Sequence, residues 1–168
     1  MKTQGWHVVF VKSHHERKVD MRLKLLNIDS FLPMVSTVRQ WSDRKKKVTV
    51  PLFPGYIFVN ISTTKDYSKA LSVSGVLNFL YQDNKFALVK DCEMSNIRKI
   101  LKLDTLTEIE TTSFTGKQGD HVKITEGPLQ GIECQVVNAN NKNRILVSIQ
   151  SIHKAIMASV PSSYLSLC

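Results

Sequence analysis

The stretch Phe53-Pro54-Gly55-Tyr56-Ile57-Phe58-Val59 constrains the fold of this chain more than any other. Proline fixes its own φ and glycine tolerates a positive one, so Pro54-Gly55 predicts a tight turn. Residues 56–61 are then mostly aromatic and β-branched, which suits a strand. A period of two puts Ile57, Val59 and Ile61 on one face and Tyr56, Phe58 and Asn60 on the other. The aliphatic face is a core face. Two rings on the opposite face require either a helix of the same domain or a partner protein to cover them.

The rest of the chain supplies elements around that strand. Residues 6–12 are apolar on both alternating faces, as in a central strand. Val19, Leu23 and Leu26 recur at helical spacing, which predicts an amphipathic helix over about 14–28 with Arg17, Lys18, Arg22 and Lys24 outside. Residues 31–39 and 48–52 predict a long hairpin closed by a charged turn, Asp43-Arg44-Lys45-Lys46-Lys47. Residues 65–73 fit a short helix with Tyr67, Ala70 and Leu71 inward, and 76–81 and 86–89 fit two strands. Asp91 suits an N-cap, and Met94, Ile97, Ile100 and Leu101 follow at helical spacing. Strands and helices in this order predict an α+β domain over 1–103, with an antiparallel or mixed sheet and helices against it. Residues 104–116 lose periodicity and are rich in Thr and Glu, the composition of a linker. Residues 117–168 hold four short strand-like runs, 121–124, 133–137, 145–149 and 155–160, separated by turns. That spacing predicts a small all-β barrel.

Charge divides the chain the same way. Residues 1–103 carry 18 Lys and Arg against 8 Asp and Glu, a net of +10; residues 104–168 carry 5 against 6, a net of −1. A basic domain joined to a neutral one points to a polyanion met by the first half alone, the alternative being a merely solubilising surface. Cys92, Cys134 and Cys168 are far apart and form no Cys-x-x-Cys pair, which fits neither a disulfide frame nor zinc and suits a reducing cytosol. The chain has no apolar run of membrane-spanning length, and its first residues hold no signal-peptide core, so a cytoplasmic protein is expected. His7, His14, His15, His121 and His153 show no ligand spacing, and no Ser/His/Asp set, Cys/His pair or Gly-rich phosphate loop is present. Asp120 and Glu126 suit turn and barrel-rim positions. We therefore expect no enzyme, no metal and no cofactor.

Two patches resemble a known family. Gly119-Asp120-His121-Val122-Lys123-Ile124-Thr125-Glu126-Gly127-Pro128-Leu129-Gln130-Gly131 resembles the KOW motif, a hairpin signature of small barrels in transcription and ribosomal proteins. The Phe53 to Val59 stretch, with Trp6 opening the first strand and Gly75-Val76 before a later one, resembles the N-terminal domain of NusG-type transcription elongation factors. One departure is Cys134, where the KOW hairpin usually carries a second glycine; it implies a different barrel wall.

The resemblance implies a monomeric, non-enzymatic factor that promotes processive elongation or antitermination. Its first domain would grip the clamp helices of RNA polymerase through a hydrophobic pocket. The matching pocket positions are Phe10, Tyr56 and Phe58, with Phe53 bordering them. Aromatic residues dominate interface energetics, which supports that use, while rings filling the core is the alternative. Lys12, His14, His15, Arg17, Lys18 and Arg22 match a region that contacts the non-template DNA strand; a solvated helix face is the alternative. Cations at these positions suit phosphates more than base edges, although a base can stack on an imidazole such as that of His14. Arg44 to Lys47 would either touch upstream duplex DNA or only solubilise a loop. The short chain and basic first domain are similar to specialised paralogues, the RfaH type and the UpxY type that serve capsular polysaccharide operons. A general NusG role, with a termination factor or ribosome contacted through the KOW domain, stays open. So does an RNA- or ribosome-binding module, although a near-neutral barrel argues against it.

Overall fold

A computed structural model describes residues 4–40, 44–82, 84–103, 106–113, 120–124, 128–139 and 142–160. The chain divides into two units, Met1–Asp91 and Cys92–Cys168.

In the first unit β1 (Gly5–Val11) is followed by α1 (Glu16–Leu25), β2 (Ser30–Phe31), β3 (Met34–Gln40), β4 (Lys45–Pro51), β5 (Tyr56–Ile61), α2 (Thr64–Ser72), β6 (Val76–Phe79), β7 (Tyr81–Gln82), β8 (Lys85–Phe86) and β9 (Leu88–Val89). The strand that is apolar on both faces is the central one. β1 pairs with β5 along one edge, and its other edge takes β9 at Trp6 and His7 and then β6 from Val9 to Val11. β2 extends the sheet beyond β5, and every ladder is antiparallel.

The expected alternation holds. Val9, Val11, Ile57, Val59 and Ile61 join Val19 and Leu23 of α1 and Ala70 of α2 in one core, with Tyr67 and Leu71 packed against it. Both helices therefore cover the aliphatic face. A capping box between Thr63 and Asp66 starts α2.

Four details depart from expectation. Leu26 is 40% exposed. Helix α1 ends before it, because Asn27 takes a left-handed backbone (φ 57°) and Ile28 enters the core in its place. The strand expected over 31–39 is split, since Pro33 has no N–H for a ladder; its carbonyl instead accepts from the Leu52 amide at 2.8 Å. The hairpin forms as β3 and β4, but Lys45, Lys46 and Lys47 lie in β4, paired with Gln40, Arg39 and Val38. Asp43 lies outside the described residues. The two strands expected over 76–89 are four shorter ones, β6 to β9, of which β7 and β8 make a separate two-stranded hairpin.

The second unit takes in α3 (Asp91–Leu101), which starts at the division, then β10 (Thr107–Ser113), β11 (Asp120–Lys123), β12 (Glu133–Ala139), β13 (Lys142–Ile149) and β14 (Lys154–Ser159). The order β10-β14-β13-β12-β11 is antiparallel throughout. The segment expected to be a linker thus contains a strand, β10. Its Thr- and Glu-rich sequence hides it, because backbone pairing to β14 needs no apolar alternation from an edge strand. Met94, Ile97 and Ile100 of α3 are buried, and the Ser151 amide and hydroxyl both donate to the buried Glu93 carboxylate. Gly119 and Thr125-Glu126-Gly127 of the KOW-like stretch lie outside the described residues, as do 104–105, 114–116, Asn140, Asn141 and Cys168. Cys134 is buried, and desolvation pushes its thiol up to about 11, so it behaves as a small core residue.

Candidate partner-binding site

The turn before β5 sets the site. The Tyr56 amide donates to the Phe53 carbonyl at 3.1 Å, closing a four-residue turn with Pro54 and Gly55 in its centre. Gly55 has φ +80°, which its missing Cβ makes inexpensive. The turn is tied down from two sides. The Val11 amide donates to the Gly55 carbonyl at 2.9 Å. The Glu16 carboxylate, buried at the start of α1, accepts from the Gly55 amide at 2.9 Å.

That anchoring fixes the register in which β5 meets β1. Phe10 faces Tyr56 and Val8 faces Phe58. The Phe10 and Tyr56 rings lie 4.9 Å apart, tilted by 50°, and both are half-buried. Phe58 is fully buried, with Phe53 edge-on at 5.7 Å and Phe31 of β2 at 6.3 Å. Phe53 is buried too. The four expected aromatic positions therefore fall into two kinds. Phe10 and Tyr56 form an accessible cross-strand pair. Phe53 and Phe58 are a rigid apolar group beside it, joined by Phe31, which sequence reasoning did not single out.

The six expected cationic and imidazole positions also separate. The Arg22 side chain and the backbone of Lys12 meet at the segment Ser74-Gly75: the Lys12 amide donates to the Gly75 carbonyl at 2.8 Å, and Arg22 Nη1 donates to the Ser74 carbonyl at 2.6 Å. A Cβ built on Gly75 would sit 3.6 Å from His15 Cβ. His14 is exposed with a left-handed backbone, φ 62°. Lys18 is exposed one helical turn before Arg22. Arg17 goes elsewhere. Its Nη2 donates to the Thr49 carbonyl of β4 at 2.7 Å. Five residues of helix rotate the direction by about 140°, so Arg17 and Arg22 cannot serve one face.

The helix-covered face holds a second ring cluster. His7 is edge-on to Phe79 and Phe86, and Tyr67 stacks on Phe79 at 4.5 Å. His7 Nδ1 donates to the Gly5 carbonyl at 2.9 Å, and desolvation holds its pKa below the usual histidine value. Among the described residues, no three His, Cys, Asp or Glu side chains group to hold a metal ion, and no helix is long and apolar enough to cross a membrane.

The sheet thus presents a half-buried aromatic pair, Phe10 and Tyr56, beside the buried rings of Phe53 and Phe58. Comparison with known proteins agrees with the fold. A chain of the structure "Domain interaction in Thermotoga maritima NusG" is 23% identical, with 93% of each chain covered and a TM-score of 0.51. A chain of the "MjSpt4:Spt5 complex", conformation A, is 13% identical over 95% of this chain and 94% of that one, at a TM-score of 0.33, too low to carry an argument. A family model described as "Transcription termination factor nusG" matches residues 4–98. That span is more than half of the chain and holds every element from β1 to β9, so the protein belongs to the NusG family of transcription factors.

Proposed function

We propose that the protein is a transcription elongation factor that binds RNA polymerase through the Phe10–Tyr56 face of its first unit and favours uninterrupted elongation. The observation that carries this reading is the cross-strand ring pair itself, half-buried on a sheet whose opposite face is already filled by two helices. Accessible rings on a rigid support bury much area at little entropic cost, which is what an interface hot spot needs. The clamp helices of the polymerase are the proposed partner. Phe53 and Phe58 are proposed to form the buried apolar border of the pair. Lys12, His14, His15, Lys18 and Arg22 are proposed to hold the phosphates of the exposed non-template strand, and Arg17 takes a lesser part because its guanidinium is turned to β4.

The second unit is proposed to close into a KOW-like barrel. The strongly basic first half favours a specialised antitermination paralogue over a general factor, acting as a cytoplasmic monomer on a long operon. The test is elongation by purified polymerase across pause sites. The wild-type protein should shorten pauses, and Phe10→Ala should abolish the effect while unfolding at nearly the same temperature. Equal activity of the two proteins would end this reading of the pair.

A further inference from the structure

Helix α1 has an apolar strip that its core stripe does not explain. Met21 and Leu25, one turn apart, are 63% and 76% exposed, while Val19 and Leu23 fill the core. Met21 lines an open groove of about 400 Å³ between α1 and the β3–β4 hairpin, together with Leu32, Met34, Arg17, Lys24 and Thr49. Asp20 also lines it, but its carboxylate is engaged: one oxygen accepts from Lys24 Nζ at 2.7 Å and the other from Ser30 Oγ at 2.7 Å. That pair leaves Arg17 as the uncompensated charge of the groove, because its guanidinium donates to a neutral carbonyl.

We infer that this groove docks an acidic, amphipathic segment of another protein, with apolar side chains seated against Met21, Leu32 and Met34 and a carboxylate facing Arg17. Three features select that occupant. The lining is aliphatic and thioether, and methionine adapts to irregular apolar side chains. It contains no ring on which a nucleobase would stack, so single-stranded nucleic acid gains only phosphate contacts there. Leu25 carries the apolar strip past the groove, so the fit is to a segment rather than to a compact molecule. The net positive charge then chooses an acidic segment over a basic one. The surface is separate from the Phe10–Tyr56 face, and the inference does not depend on the polymerase reading.

The experiment uses the full chain labelled with ¹³C in its methionine methyl groups. Three probes are titrated: a synthetic amphipathic helix with Leu on one face and Glu on the other, the same peptide with Lys for Glu, and a single-stranded oligodeoxynucleotide. The Glu peptide should move the Met21 and Met34 signals, less so as salt is raised, and the Lys peptide should not. Met21→Glu, a change at an exposed position, should weaken the Glu peptide about tenfold with the thermal midpoint kept, and Leu25→Glu should act in the same direction. The inference is overturned if the Glu peptide leaves both signals unmoved. It is equally overturned if the oligonucleotide displaces the peptide, or if the signals of the free protein shift on dilution, which would assign the groove to a second copy of this chain.

Discussion

Glu16 and Gly55 stand 39 residues apart in sequence, yet the buried Glu16 carboxylate accepts a 2.9 Å hydrogen bond from the Gly55 amide. The bond joins the first turn of α1 to the turn that launches β5. Glu16→Gln keeps an acceptor oxygen at the same reach and should cost little. Glu16→Ala leaves a partly buried amide without its partner, which costs about 1–3 kcal/mol. Urea unfolding should separate the two variants. Because Tyr56 follows Gly55 directly, Glu16→Ala should also weaken polymerase binding.

Gly75 is the tightest glycine of the first unit. It has φ +106°, and an added Cβ would lie 2.7 Å from Val19 Cγ2 in the core. Gly55 has φ +80°, but its nearest Cβ contact is the Val11 carbonyl at an ordinary 3.8 Å. Gly55→Ala should therefore cost only backbone strain, about 1–2 kcal/mol. Gly75→Ala adds overpacking of about 1–3 kcal/mol to a comparable strain. Denaturation midpoints should rank the wild type above Gly55→Ala, and Gly55→Ala above Gly75→Ala.

His7 supplies a pH dependence. Its Nδ1 proton is held by the Gly5 carbonyl, so in the neutral ring Nε2 carries the lone pair. A second proton would place a charge among Phe79 and Phe86. Burial accordingly lowers the pKa from the ordinary 6.5. With a folded pKa below the unfolded one, the unfolded chain takes up the proton first as pH falls. Stability from this site is therefore complete above 6.5 and declines as pH drops through that value toward the lowered folded pKa. His7→Phe should flatten the loss of thermal midpoint between neutral pH and about pH 5. An unchanged slope would remove His7 as its source.

The local part of this fold was legible, and the long-range part was not. Pro54-Gly55 and the alternation from Tyr56 to Ile61 depend on neighbouring residues, so the turn, the strand and its core face all follow from sequence. The split of the aromatic set depends on what lies across the sheet. Phe58 is sealed by Phe53 and by Phe31, and no periodicity in residues 53–59 shows that Phe31 arrives there. Glu16 looks like an ordinary acidic residue at a helix start; its role appears only once Gly55 is placed beside it. Strand β10 was missed because its Thr and Glu side chains resemble a linker while its backbone pairs with β14. The division of Arg17 from Arg22 follows from helical geometry alone, because five residues turn the side-chain direction by about 140°.

The three lysines of β4 make a directional prediction. Lys45, Lys46 and Lys47 are consecutive and exposed on a strand, so side chains alternate and Lys46 points away from the other two. They cannot all meet one row of phosphates. If the hairpin lies along duplex DNA, the first of the two uses the resemblance allows it, replacing Lys45 and Lys47 together by Gln should lower the slope of log K against log salt by about 1.8. Lys46→Gln should then change it by less than half as much. Equal effects per lysine would mean that the hairpin attracts DNA without a fixed orientation.

Phe58 and Tyr56 sit two residues apart on the same face of β5 and should fail in different ways. Phe58 is fully buried against Phe53, so Phe58→Ala opens a cavity and should cost about 3–5 kcal/mol of folding stability. Tyr56 is half-buried over Phe10. Tyr56→Ala should leave the fold largely intact and cost about 2–4 kcal/mol of polymerase affinity. Tyr56→Phe keeps the ring and should lose about 1 kcal/mol at most, the value of a hydroxyl hydrogen bond to the partner. Thermal unfolding and polymerase pull-down on the same three proteins separate the two roles. If Tyr56→Ala unfolded like Phe58→Ala while Tyr56→Phe bound normally, Tyr56 would belong to the core, and Phe10 alone would remain as the contact.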